Sequence, residues 1–115
     1  MSETLNQALL ALDTCEAKGL RLLDRRQQAT WMSWSQVLSR SLETCGRLQA
    51  LGVEPGQRVA LIYPTVPAFI DAFFGILLAG AVPTPLYPPV RLGRLDEYHV
   101  KTARMLERVD AQLVL

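Results

Sequence analysis

The 115-residue chain has almost no excess of charge of either sign. Its 12 Lys and Arg nearly balance 11 Asp and Glu, for a formal net charge of +1. That removes the electrostatic case for a nucleic-acid or anionic-membrane partner. Cysteine is scarce. Cys15 and Cys45 stand alone, without a CxxC pair or a nearby histidine. Two reduced, packed thiols in a cytosolic protein are expected, with a structural disulfide as the alternative. Long hydrophobic runs are missing too. The apolar stretch Ala72 to Val82 is about half the ~20 residues needed to span a bilayer, and Asp71 blocks its backward extension. The opening MSETLNQALLALD lacks the basic start, apolar run and cleavage site of a signal peptide. No GxGxxG, GxxxxGK[ST] or GxSxG occurs. The one histidine, His99, lies within an amphipathic pattern, and Asp13, Asp24, Asp71, Asp96 and Asp110 show no metal-ligand spacing. The sequence therefore gives no catalytic, cofactor-binding or metal-ligating residue. Tyr87 and Arg91, beside a proline-rich loop, are the two candidates for touching a ligand, with surface packing as the alternative.

What is present is strong local patterning. Thr4 to Gln7 has the spacing of a capping box. Leu5, Ala8, Leu9, Leu12 and Cys15 share a helical face, so a leading helix is expected over about 4–18, stopped by Gly19. Leu20 to Asp24 and Thr30 to Trp34 read as the arms of a short hairpin. A second capping box, Ser33 to Gln36, opens a helix striped by Trp34, Val37, Leu38, Leu42, Cys45 and Leu48. That helix ends near Leu51, with Gly52 as its C-terminal glycine. Glu54-Pro55-Gly56-Gln57 has the order of a type II turn.

From Val59 the pattern becomes strand, helix, strand, helix, strand. "VALIY", Val59 to Tyr63, is continuously apolar, as in strands covered on both faces. Thr65 is placed to cap a helix over about 66–79, closed by Gly80. In the strand Val82 to Leu86, Pro83 and Pro85 lose N–H groups on the same side, which predicts pairing along one side only. Pro88 to Arg94 reads as a loop. Leu95 to Val109 is amphipathic, with Leu95, Tyr98, Thr102, Met105, Leu106 and Val109 on one face. Ala111 to Leu115 begins another strand, and stopping on such residues implies a truncated domain. The expected fold is α/β: a partial parallel sheet with covering helices, preceded by a helix and a short hairpin. It divides into a leading helix (1–19), a hairpin and helix (20–57) and a βαβαβ layer (58–115).

The helix at 66–79 is apolar nearly all round. Phe69, Phe73, Ile76 and Leu77 form one side, and Ala68, Ala72, Gly75 and Ala79 form a stripe of small residues. Only Asp71 is polar. Such a helix has to be buried nearly all round. A chain this short hides only about two-thirds of its unfolded surface. Two readings follow: a fragment of a larger domain, or a stand-alone α/β interaction or regulatory module that self-associates through this helix. A third is a small-molecule binder at the carboxyl ends of the parallel strands.

Several segments together resemble the N-terminal part of the adenylate-forming (AMP-binding) enzymes, the superfamily of acyl-CoA synthetases, fatty acyl-AMP ligases and peptide-synthetase adenylation domains. They are "SWSQVL" (Ser33 to Leu38), "LGVEPGQRVAL" (Leu51 to Leu61) and "LLAGAVPTPL" (Leu77 to Leu86), followed by "YPP" at Tyr87 to Pro89. The resemblance covers about Leu20 to Leu115. The chain departs from the family's pattern at Trp34, Gln36 and Gln57. "YPP" is similar to the fatty acyl-AMP ligases. The resemblance implies that Ser33, Trp34, Gly52, Pro55, Gly56, Gly80, Pro83 and Pro85 are structural motif positions. It also implies a parent that joins a carboxylic acid, of the fatty class, to Mg-ATP as acyl-adenylate and passes it to the thiol of CoA or an acyl carrier protein. The phosphate loop, ribose-binding Asp and catalytic Lys of such a parent would lie beyond Leu115, which leaves this segment inactive alone and partnered by the remainder of the AMP-binding domain.

Overall fold

The computed structural model describes residues 4–24, 26–86 and 95–115. Tyr87, Arg91 and the loop expected over 88–94 lie outside them. The order is α1 (Leu5–Leu10), β1 (Gly19–Leu23), β2 (Ala29–Ser33), α2 (Trp34–Ala50), β3 (Arg58–Ile62), α3 (Pro67–Leu78), β4 (Val82–Leu86), α4 (Leu95–Val109) and β5 (Ala111–Val114). Two sheets form: the antiparallel hairpin β1–β2, and a parallel three-stranded sheet ordered β4-β3-β5.

The capping box at Thr4 forms, yet α1 ends at Leu10, well short of the expected residue 18. Asp13 and Thr14 are poor helix formers. The following turns are instead tied to the hairpin: Trp34 N–H donates to the Lys18 carbonyl at 2.9 Å, and Ser35 N–H to the Cys15 carbonyl at 3.0 Å. Cys15 is therefore not on a helical stripe. Gly19 is not a helix stop but the first residue of β1. A Cβ there would overlap the Met32 carbonyl, so glycine is needed for close backbone approach.

The second capping box forms as the spacing predicts. Gln36 N–H donates to Ser33 Oγ at 3.2 Å, and Ser33 N–H to Gln36 Oε1 at 3.1 Å. Both long central helices close alike. After α2, Gly52 (φ 91) lets its N–H reach the Gln49 carbonyl and Val53 N–H the Leu48 carbonyl. After α3, Gly80 (φ 77) does the same with Leu77, and Ala81 with Ile76. These are paired Schellman closures. The start of α3 differs from expectation: its N-cap is Val66, not Thr65, with no side-chain bond, and Pro67 in the first turn has no N–H to leave unsatisfied.

β3 is central, and Val59, Ala60 and Leu61 are each 0% exposed. β4 pairs with it from Arg58↔Val82 to Ile62↔Leu86 and is an edge strand, as Pro83 and Pro85 require. The core gathers Leu48 and Val53 from the α2 end, Val59 and Leu61 from β3, and Ala72 and Ile76 from α3, with Ala81. Burying each large side chain stabilises by about 1.5–3 kcal/mol. Within α3 only Ala72 and Gly75 of the small-residue stripe and Ile76 of the large-residue side are deeply buried, and Ala68 is exposed. Phe69, Ile70, Phe73, Phe74, Leu77 and Leu78 are half-buried. The right-handed crossover rule puts α4 on the opposite face of the sheet. Leu95, Tyr98, Thr102, Leu106 and Val109 are half-buried there, but Met105, expected on this face, is exposed.

Candidate functional site

In a parallel sheet ligands sit outside the carboxyl ends of the strands, where the connections part to opposite faces. With the order β4-β3-β5 that point lies between β3 and β5. A crevice of about 290 Å³ opens beside it, lined by Arg47 and Leu48 of α2, Asp71 and Ala72 of α3, and Tyr63 and Leu115 at the strand ends. Its lining is mostly apolar, with Thr44, Arg47, Tyr63 and Asp71 as the residues that carry polar groups. It holds no paired base and nucleophile. The crevice suits holding rather than catalysis.

Asp71 is committed elsewhere. Arg40 Nε donates to both Asp71 carboxylate oxygens at 3.1 Å, and a terminal guanidinium nitrogen donates at 2.8 Å. Asp71 is only 16% exposed against 48% for Arg40, so a two-pronged ion pair locks α3 to α2. Asp71 is the one polar residue of α3. A charge on such a helix needs a counter-ion, and Arg40 on the preceding helix supplies it. A second unforeseen tie runs from α1: Asn6 Nδ2 donates to the Leu77 carbonyl at 2.7 Å.

The motif positions lie at element ends, turns and the edge strand. Ser33 caps α2, with Trp34 as its first residue. Pro55 and Gly56 (φ 83) form the expected turn, in which Gln57 N–H reaches the Glu54 carbonyl at 3.2 Å. That turn clasps the end of α3: Gly56 N–H donates to the Gly80 carbonyl at 2.9 Å, and Val82 N–H to the Gln57 carbonyl at 2.8 Å. The start of β4 is thereby indexed to the start of β3. His99 is exposed, with its ring 5.9 Å from that of Tyr98. Both cysteines are free thiols, and burial pushes the Cys45 thiol up from its ordinary value of 9.0. Among the described residues no group of His, Cys, Asp and Glu can hold a metal ion, and no helix is long and apolar enough to cross a membrane.

The clasp thus joins two of the motif segments, Leu51 to Leu61 and Leu77 to Leu86, around one parallel pair of strands. A family model described as AMP-binding enzyme matches residues 15–115. The chain belongs to this family. Among AMP-binding relatives it is 35% identical over 68 residues to the long-chain-fatty-acid–AMP ligase FadD32 of Mycolicibacterium smegmatis, a match covering 59% of this chain and 11% of the relative. One of the solved fatty acyl-adenylate ligases from E. coli and L. pneumophila superposes with a TM-score of 0.88 at 31% identity, over 98% of this chain and 20% of that one. The L. pneumophila fatty acyl-adenylate ligase in complex with acyl adenylate and pyrophosphate gives a TM-score of 0.77 at 30% identity, over 93% of this chain and 18% of that one. The chain thus spans between a tenth and a fifth of the AMP-binding proteins it matches.

Proposed function

We propose that this chain is the N-terminal structural segment of an ATP-dependent fatty acyl-activating ligase. The observation that supports this most is the match along nearly the whole chain to fatty acyl-adenylate ligases at about 30% identity, combined with the small share of their length that it spans. In the parent reaction the fatty carboxylate attacks the α-phosphorus of ATP. Acyl-adenylate forms and pyrophosphate leaves. A thiol of CoA or of a carrier protein then attacks the acyl carbonyl and releases AMP.

This segment's own part is positional. Its described residues include no cluster able to hold Mg²⁺, and its sequence has no glycine-rich phosphate loop, so no chemical step is assigned to them. They provide a strand pair, β3–β4, held at its start by the Gly56–Gly80 clasp and backed by the α2–α3 pair. The crevice by Tyr63, at the carboxyl ends of β3 and β5, is the described surface proposed to meet the rest of the enzyme. Tyr87 and Arg91 are proposed to touch the acyl or adenylate group. The free thiols of Cys15 and Cys45 fit a reducing, cytoplasmic setting.

The test is pyrophosphate release by the full-length protein with ATP and fatty acids of graded length, with and without CoA, beside the same assay on the 115-residue chain. Fatty-acid-dependent release by the full-length protein and none by the chain is expected. Turnover by the chain alone, or amino acids as the only acids activated, would overturn the reading.

A further inference from the structure

The hairpin β1–β2 stands apart from the parallel sheet, and among the described residues no further strand pairs with either edge. Two strands alone are marginal in water, and an unpaired edge is a template for a further strand. The register shows which groups are left over. Asp24 N–H bonds the Gln28 carbonyl, and Trp34 N–H bonds the Lys18 carbonyl. Bonded pairs alternate along an antiparallel ladder, so counting by twos from these two makes Leu22↔Thr30 and Leu20↔Met32 the pairs that carry the ladder bonds. The N–H and C=O groups of Ala29 and Trp31 therefore point away from β1. At Ser33 the outward N–H is already taken by Gln36 Oε1.

Alongside this edge runs a groove of about 410 Å³ between β2 and α2, lined by Thr30, Trp31, Met32, Gln36, Ser39 and Arg40. Met32 is buried at its floor, whereas Trp31 is 48% exposed at its wall. Two free donors and two free acceptors spaced along a strand, next to an apolar slot, fit an extended polypeptide and not a compact ligand. We infer that the β2 edge takes a third, main-chain-paired strand supplied by the part of the same polypeptide that follows Leu115 in the full-length enzyme. This rests on the chain being part of a larger AMP-binding domain. The chain outside the structure is ample, because the matched relatives are roughly five times longer.

Hydrogen exchange with single-residue resolution on the full-length protein tests it. The amides of Ala29 and Trp31 should exchange at least about a hundredfold more slowly than in an unstructured peptide, alongside those of Leu22 and Met32. Exchange at open-loop rates at Ala29 and Trp31, with Leu22 and Met32 protected, would overturn the inference. Ala29→Pro gives a second reading, because proline is tolerated at a free edge but not where a partner needs the N–H. The variant should lose protection at Trp31 or fail to fold; unchanged protection throughout would count against a paired strand. Protection that vanishes on dilution would assign the edge to a second copy and refute the intramolecular strand. The readout is independent of substrate, so fatty-acid activation with unprotected β2 amides would sink this inference while leaving the proposed function intact.

Discussion

Alanine in place of glycine normally strengthens a helix interior by about 0.8–1.0 kcal/mol. Two glycines of this chain should answer that substitution with opposite signs. At Gly46 in α2 a new Cβ meets nothing within 4 Å. Gly46→Ala should therefore stabilise by about 0.5–1 kcal/mol. At Gly75 in α3 the Cβ would lie 2.7 Å from both Cβ and Cγ2 of Thr44, and 3.2 Å from the Ser41 carbonyl oxygen. Rotating the Thr44 side chain moves Cγ2 but not Cβ. Carbon atoms settle at about 3.5–4.0 Å, so α2 and α3 would have to part by about 1 Å. Overpacking of that kind costs about 1–3 kcal/mol. After the helix gain, Gly75→Ala should end about 1 kcal/mol less stable than the parent, and about 1–3 kcal/mol below Gly46→Ala. Urea denaturation followed by the fluorescence of Trp31 and Trp34 reads both variants. Combining Gly75→Ala with Thr44→Gly should recover part of the loss, as a favourable coupling in a double-mutant cycle. If the two glycine substitutions agree within about 0.3 kcal/mol, the close approach of α2 and α3 at Gly75 is wrong.

Three further outcomes follow from other contacts. Arg40→Ala leaves the largely buried Asp71 without its cation and should cost about 1 kcal/mol, limited by the solvent exposure of Arg40; Arg40→Lys should recover only part, since it loses the two-pronged geometry, and equal stability of all three in denaturation would refute the pair's role. Gly80→Ala forces a side chain to φ 77 with its Cβ 3.3 Å from that of Pro55, and should lower stability by about 1–2 kcal/mol by the same assay. Cys45 has a folded pKa raised by burial, so the folded state holds its proton longer than the unfolded state. The stability it contributes is complete below the ordinary value of 9.0 and is lost as pH rises from there through the folded pKa. Cys45→Ala should flatten the alkaline fall in a pH series of denaturation midpoints, and the native thiol should resist iodoacetamide until urea is added.

Legibility in the sequence followed the range of the forces involved. Caps and turns are short-range, so both capping boxes, the Gly52 and Gly80 closures and the Pro55–Gly56 turn sit where residue chemistry places them. Periodicity located β3 and α4 for the same reason. The leading helix was overextended because Leu12 and Cys15 continue a helical stripe, while the bonds that end it come from the hairpin backbone at Trp34 and Ser35. The N-cap of α3 was misplaced by one residue, since Thr65 and Pro67 are both start signals and proline prevailed. Of the candidate site, the resemblance marked the motif positions, but nothing local pairs Arg40 with Asp71, Asn6 with Leu77 or Thr44 with Gly75. The Arg40–Asp71 and Thr44–Gly75 contacts exist only once α2 packs on α3, and Asn6–Leu77 only once α1 reaches α3. The sequence signal for them was indirect: a lone carboxylate and a stripe of small residues on an otherwise apolar helix.

The prolines of β4 also decide how a bigger sheet can be assembled around this one. Val82 N–H points to β3, so Pro83 and Pro85 face outward on the far flank. A newcomer on that flank would find carbonyl groups with no amide hydrogens between them. Any neighbour with full ladder bonding has to arrive beside β5 instead, so accretion runs in one direction only, and the β4 flank is a built-in terminus that also discourages strand-to-strand clumping with other molecules.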